Sequence, residues 1–113
     1  GDQVDLGSVA HPLIVVFLEK LRRERELIAA WSNRLLRGGE HLAHSHPRGG
    51  DSHVLCIAAE RNMGGVLVLE DGAEEISIAP EPGLLVCFPH WLPHRVTRYE
   101  GVTPRLSIAY DLR

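Results

Sequence analysis

Residues 38–47 read GGEHLAHSHP, and three of the seven histidines of the chain fall within six residues of this stretch. In an extended strand the side chains of residues i and i+2 point to the same side, so His44 and His46 can converge on one point. A second stretch, residues 82–94, reads PGLLVCFPHWLPH and carries two more histidines after a short apolar run. Together the two stretches predict a β-barrel in which a His-x-His pair and a distant third histidine hold one divalent transition metal.

Length and composition predict one domain that spans residues 1–113. The apolar content of 44% and the charged content of 24% are ordinary for a globular protein, and the net charge of −3 with scattered basic residues argues against a nucleic-acid partner. The longest apolar run, at 13–18, is too short to cross a membrane and does not fit a signal peptide. Cys56 and Cys87 both lie in apolar runs, which predicts two reduced core thiols in a cytoplasmic protein.

The apolar residues near the N-terminus recur at helical spacing. Leu13, Val16, Phe17 and Leu21 follow a proline and precede a mixed-charge segment, which predicts a helix over about 11–25. The β-branched run at 14–16 would equally suit a strand. We expect residues 1–10 to form a loop, with Ser8 as a candidate helix cap.

The rest of the chain has the pattern of short strands separated by glycine and proline. The predicted strands are 27–37, 54–59, 66–70, 75–79, 84–88, 95–99 and 105–112, with a hairpin turn at 71–73. Strands of this length and spacing predict a mainly β, jelly-roll or cupin-like barrel with one N-terminal helix, the barrel covering about 27–113.

Two other histidines compete with those of the metal prediction. His41 would not share a strand face with His44, so we expect it to be exposed or outside the ligand set. His90 lies in a turn between two prolines, where side-chain direction is loose, whereas His94 begins the next predicted strand. The predicted ligands are therefore His44, His46 and His94.

The final predicted strand carries Arg105 and Ser107, whose side chains point to one face. An arginine inside a barrel needs an anion, since an unpaired buried charge is very costly. Its guanidinium can bind a carboxylate in two places, and a serine hydroxyl nearby can donate a further hydrogen bond. The alternative is that Arg105 faces solvent or pairs with an acidic residue on the barrel surface.

Several segments together resemble the 2-oxoglutarate- and Fe(II)-dependent oxygenases, in particular a small bacterial group with an FPxWLPHxV…RxS ending. They are WSN at 31–33, HSHP at 44–47, GGVL at 64–67, the 82–96 stretch and RLSIAY at 105–110. The resemblance runs from Trp31 to the C-terminus and implies a double-stranded β-helix. It also implies Fe(II) on His44, His46 and His94, with 2-oxoglutarate as co-substrate on Arg105, Ser107 and Asn33.

The sequence departs from this family at three places. Position 46 is histidine where most of the superfamily has a carboxylate, which leaves the ligand set one negative charge short. Asp51 offers a carboxylate nearby, but not at the expected spacing. The related group has SGVYY where residues 52–56 read SHVLC, and it ends in asparagine where this chain has Asp111.

These features leave three functional hypotheses. The first is an Fe(II)/2-oxoglutarate dioxygenase that hydroxylates a small-molecule or carrier-bound substrate, with no membrane partner. The second is a cupin-like three-histidine metalloprotein, such as a 2-oxoglutarate-independent dioxygenase or an isomerase, which explains His46 better and Arg105 worse. The third is a non-catalytic metal- or ligand-binding relic. The apolar 13–18 segment and an exposed sheet edge also suggest a homodimer.

Overall fold

The computed structural model describes residues 2–47 and 49–113. Within these two ranges, one α-helix and a short 3-10 helix (Leu6–Ser8) accompany nine strands. The elements are β1 (Asp2–Asp5), α1 (Pro12–Glu24), β2 (Leu27–Leu35), β3 (His41–His44), β4 (Asp51–Ala58), β5 (Leu67–Asp71), β6 (Glu74–Ile78), β7 (Leu85–Pro89), β8 (His94–Val96) and β9 (Arg105–Leu112).

The strands form two antiparallel sheets. The larger has the order β1-β2-β9-β4-β7 and the smaller has the order β3-β8-β5-β6. Between the sheets lies an apolar core in which Leu35 and Tyr99 are completely buried, together with Leu67, Phe88 and Val96. This arrangement confirms the predicted mainly β fold and is consistent with a double-stranded β-helix.

Helix α1 begins and ends within one residue of the prediction. The side chain of His11, not Ser8, caps it, because its Nδ1 accepts a hydrogen bond of 3.2 Å from the Leu13 amide. Leu18 and Leu21 are buried in a second apolar cluster, which also contains Tyr110 of β9. The helix therefore packs against the larger sheet.

The prediction of a loop over residues 1–10 is wrong at its start. Residues 2–5 form an edge strand that pairs with β2, where Asp5 lies opposite Trp31. All four side chains of this strand are exposed, so no inward-facing apolar pattern marks it in the sequence. Its ladder of backbone hydrogen bonds to β2 depends on tertiary structure alone.

The prediction of two core thiols is correct for one cysteine only. Cys56 is buried, whereas Cys87 is exposed, and both are free. Cys87 lies on the outer side of the larger sheet, where its Sγ is 3.3 Å from His53 Nε2. Among the described residues, no helix is long and apolar enough to cross a membrane.

Candidate metal centre

Three histidines, from two paired strands and a loop, converge on one point. One ring nitrogen each of His44, His46 and His94 lies within 4.8 Å of the other two. His44 is the last residue of β3 and His94 is the first residue of β8, and the two lie opposite each other in the antiparallel pair. The structure thus brings together the three histidines that the sequence singled out.

The reason for their convergence differs from the predicted one. Strand β3 ends at His44, so His46 is not on the same strand, and alternation does not align the two side chains. The His46 amide instead donates a hydrogen bond of 2.8 Å to the carbonyl oxygen of His90. His90 Nδ1 in turn bonds the carbonyl oxygen of His46 at 2.7 Å. His90 therefore holds the loop that carries His46 and is not one of the three converging histidines.

Each of the three rings has its Nδ1 engaged by an acceptor. Nδ1 of His44 bonds the carbonyl oxygen of Leu42 at 3.0 Å, and Nδ1 of His94 bonds that of Leu92 at 3.0 Å. Nδ1 of His46 lies 2.9 Å from Oδ1 of Asp111. A carbonyl or carboxylate oxygen can only accept, so these contacts assign the proton to Nδ1 and leave the lone pair on Nε2. This is the arrangement in which metal-binding histidines are usually held.

The charge state of the site also favours a cation. The pKa of His94 is lowered to about 4, chiefly by burial and to a smaller extent by the neighbouring rings of His44 and His46, while a hydrogen bond to Leu92 acts in the opposite direction. His94 is therefore neutral at physiological pH, as a metal ligand must be. His41 lies outside the group, and burial, followed by the charge of Arg105, lowers its pKa as well.

A cavity of about 430 Å³ connects the histidines with the C-terminal strand. Its walls include the three histidines together with Asn33, His41, Arg105 and Ser107. Asn33 of β2 lies opposite Ser107 of β9, and both side chains are buried on the inner face. The prediction that Arg105 and Ser107 face the interior is therefore correct, and the alternative of a surface Arg105 is wrong.

Arg105 is held at the wall of this cavity without an acidic partner. The residue is only 3% exposed. Its Nε donates a hydrogen bond of 2.9 Å to the carbonyl oxygen of Gly65, and its Nη1 donates a long one of 3.4 Å to Ser107 Oγ. Within residues 2–47 and 49–113, no carboxylate lies within ion-pair distance of it. A buried guanidinium with unused donors facing a cavity favours an anionic ligand.

Gly65 makes room for this arginine, a role that the sequence did not reveal. Its φ angle is 66°, and a Cβ built there would lie 2.8 Å from Arg105 Cδ and 3.0 Å from Tyr99 Cδ1. Glycine alone combines that backbone conformation with that contact. The Gly64-Gly65 dipeptide was the available signal, but nothing local shows which side chain lies against it.

Two acidic residues that the sequence placed near the site, Asp51 and Asp111, have different contacts in the structure. Asp51 pairs with Arg25 at 3.0 Å on the surface and does not join the group. Asp111, which the sequence marked only as a departure from asparagine, is buried against His46.

A second and larger cavity, of about 770 Å³, adjoins the first at His44 and His46. Its walls include His44, His46 and Trp31, and it extends along helix α1 past Leu18 and Arg22. His44 and His46 thus line both cavities, the smaller of which also contains His94 and the buried cation of Arg105.

Comparison with known proteins agrees with the fold and with the C-terminal pattern. Residues 68–111 match the family model described as a putative 2OG-Fe(II) oxygenase. That segment contains His94 and Arg105, whereas His44 and His46 precede it. No curated protein matches the chain.

Three solved structures illustrate the likeness in fold. A 2OG-Fe(II) oxygenase family oxidoreductase from Burkholderia pseudomallei superposes with a TM-score of 0.77 at 19% identity, over 91% of this chain and 59% of its own. A prolyl-4-hydroxylase from Pseudomonas putida gives 0.73 at 22% identity, over 99% and 67% of the two chains. A cupin domain from Bordetella pertussis gives 0.56 at 20% identity, over 78% and 83%.

This chain spans less than two thirds of the length of the Burkholderia protein. At these identities the superpositions show the fold, and the matched family model adds the C-terminal sequence pattern. The fold and the C-terminal pattern together confirm the predicted resemblance to the superfamily of 2-oxoglutarate- and Fe(II)-dependent oxygenases.

Proposed function

We propose that this domain binds Fe(II) through His44, His46 and His94, binds 2-oxoglutarate through Arg105, and oxidises a small-molecule or carrier-bound substrate. The observation that carries the proposal is the buried, carboxylate-free guanidinium of Arg105 in the same cavity as the three histidines. A metal site alone would not require that cation, and a buried cation alone would not require the histidines.

The donor set fits a first-row divalent metal. Three imidazoles offer Nε2 lone pairs, and their Nδ1 bonds hold the rings before any metal arrives. A metal held by these three side chains would keep room for a co-substrate, as sites of this ligand type do. When bound, Fe(II) would supply the redox chemistry that couples oxidation of 2-oxoglutarate by O2 to oxidation of a C–H bond.

The smaller cavity has the chemistry that 2-oxoglutarate requires. Arg105 can bind the far carboxylate of 2-oxoglutarate through its guanidinium. Ser107 Oγ lies 3.4 Å from Nη1 of that guanidinium. Asn33 adds an amide on the same inner face. All three side chains are buried, and the lower dielectric constant around buried groups strengthens each of these interactions.

The larger cavity suits the substrate that would be oxidised. It reaches the site from the side of His44 and His46, so a substrate there would approach the metal without passing Arg105. Its wall combines apolar Leu18 with charged Arg22 and Asp5, which favours a substrate with both apolar and polar groups.

The donor set also supports a second candidate, a cupin-like three-histidine metalloprotein that does not use 2-oxoglutarate. The observation in its favour is His46, which gives an all-imidazole set in a fold that also superposes on a cupin domain. It offers no role for Arg105.

Anaerobic titration of Fe(II)-loaded protein with 2-oxoglutarate separates the two candidates. The first predicts a weak visible charge-transfer absorption and, at a hundredfold excess over Kd, a rise in melting temperature on the order of 10 °C. Glutarate, which keeps both carboxylates but cannot chelate through a keto oxygen, is the matched control and should give no absorption. No absorption and an unchanged melting temperature with 2-oxoglutarate would reject the first candidate.

A further inference from the structure

Asp111 is a buried carboxylate with one side chain of the metal centre as its partner. It is 4% exposed, and its Oδ1 lies 2.9 Å from His46 Nδ1. Ser52, which is 1% exposed, donates a hydrogen bond of 2.8 Å to the same oxygen. Ser52 Oγ also lies 2.9 Å from His46 Nδ1, so the three side chains form a closed cluster.

In the described part of the chain, neither lysine nor arginine lies within ion-pair distance of Asp111. Desolvating a carboxylate is costly unless a positive charge or several hydrogen bonds compensate for it. The two hydrogen bonds seen here compensate in part. The other partner of Asp111 is His46, whose Nδ1 faces the carboxylate and whose ring lies against the rings of His44 and His94. Positive charge at the three-histidine group can therefore act on Asp111 through this ring.

The two positions in contact are also two of the positions at which this chain departs from the family that it resembles. Histidine replaces a carboxylate at position 46, and aspartate replaces asparagine at position 111. Each substitution alone would change the charge of the site by one unit, in opposite directions. Because the two side chains are in contact at 2.9 Å, the site still contains a carboxylate. This carboxylate contacts the ligand His46 and does not itself occupy position 46.

Resting on the proposed function, we infer that Asp111 is a positioning residue of the metal centre, which fixes His46 with Nε2 toward the metal and supplies the negative charge that position 46 lacks. The formal charges then balance as they would with a carboxylate ligand. A divalent metal and Arg105 carry three positive charges, and 2-oxoglutarate and Asp111 carry three negative ones. A carboxylate bonded to the far nitrogen also makes an imidazole a stronger ligand.

Four variants test this inference by metal affinity, measured with Co(II) alone and without 2-oxoglutarate. Asp111→Asn keeps the acceptor for His46 and removes the charge, and should weaken Co(II) binding about 10- to 100-fold. Ser52→Ala, the matched control, removes a hydrogen bond from the same cluster, leaves the charge in place, and should cost less than about tenfold.

His46→Asp alone should bind Co(II) poorly, because it places a second carboxylate beside Asp111. The double variant His46→Asp/Asp111→Asn restores one carboxylate at the metal and should bind at least about tenfold more tightly than His46→Asp. This rescue is a readout that a merely structural role for Asp111 would not produce. Circular dichroism and melting temperature establish that each variant folds.

The inference is overturned if Asp111→Asn binds Co(II) as wild type does, or if the double variant binds no better than His46→Asp. It is equally overturned if the double variant fails to fold while His46→Asp folds, since Asp111 would then be needed for the fold and not for the pair. Failure of the 2-oxoglutarate titration would reject the proposed function and leave these metal affinities unaffected.

Discussion

The carbonyl oxygen of Gly65 accepts a hydrogen bond of 2.9 Å from Arg105 Nε, and the missing side chain of Gly65 leaves room for the arginine stem. The glycine therefore sets the position of the guanidinium in the cavity. Gly65→Ala should push Arg105 away and lower the affinity for 2-oxoglutarate at least about tenfold, with metal binding unchanged. Isothermal titration of metal-free protein with Co(II), and of metal-loaded protein with 2-oxoglutarate, measures the two affinities.

Gly72→Ala is the control for backbone strain. Gly72 has a φ angle of 62°, close to that of Gly65, but a Cβ there would meet nothing within 4 Å. Both variants should lose about 1 kcal/mol of stability from the left-handed conformation. Equal 2-oxoglutarate affinities in the two variants would show that the contact with Arg105 does not matter.

Substitution of Arg105 tests the co-substrate site directly. Arg105→Ala removes charge-assisted hydrogen bonds worth about 1.5–3 kcal/mol, so 2-oxoglutarate binding should weaken about 10- to 100-fold while Fe(II) binding persists. Arg105→Lys keeps the charge without the two-pronged geometry and should give an intermediate affinity. Wild-type affinity in Arg105→Ala would mean that 2-oxoglutarate, if it binds, binds elsewhere.

The metal centre is tested most cleanly at His44, because this side chain is exposed and its removal leaves no buried void. His44→Ala should weaken Fe(II) binding by more than about a hundredfold. The reason is that loss of a residue that only hydrogen-bonds to a metal ligand already lowers metal affinity by up to about a hundredfold. His41→Ala, on the same strand but outside the group, should retain one metal per chain. Elemental analysis of protein purified without chelator measures the metal content of the two variants. Equal metal content in both would contradict the assignment of His44 as a ligand.

The depressed pKa of His94 makes the metal-free protein sensitive to acid. The folded state has a pKa of about 4 at this residue, against 6.5 for an unperturbed histidine. Between these values the unfolded chain binds more protons than the folded one, so the free energy of unfolding falls as the pH is lowered from 6.5 to 4. This one residue should account for a loss of about 3 kcal/mol across that window.

Urea unfolding at several pH values measures this loss. His94→Gln cannot be protonated and should show a shallower dependence over the same range. An identical slope in the variant would assign the acid sensitivity to other groups.

The sequence by itself predicted the features that local pattern controls. Alternation along the last strand gave β9 its bounds and placed Arg105 and Ser107 on the inner face. Helical spacing predicted α1 to within a residue at each end. The position of His94 at the start of a strand followed from the prolines before it. In each case the signal lies within a few residues of the feature, because periodicity and turn residues act over short distances.

Tertiary structure alone decided the rest. His46 lies beyond the end of β3, and it reaches the other histidines because of its backbone bond to His90 and its contact with Asp111, 65 residues along the chain. Gly65 and Arg105 are 40 residues apart, and no local pattern shows that one makes room for the other. The sequence thus determined which residue types were available for a metal and an anion. Packing of the two sheets determined which of them meet, since contacts between distant segments depend on the register of strands and not on spacing along the chain.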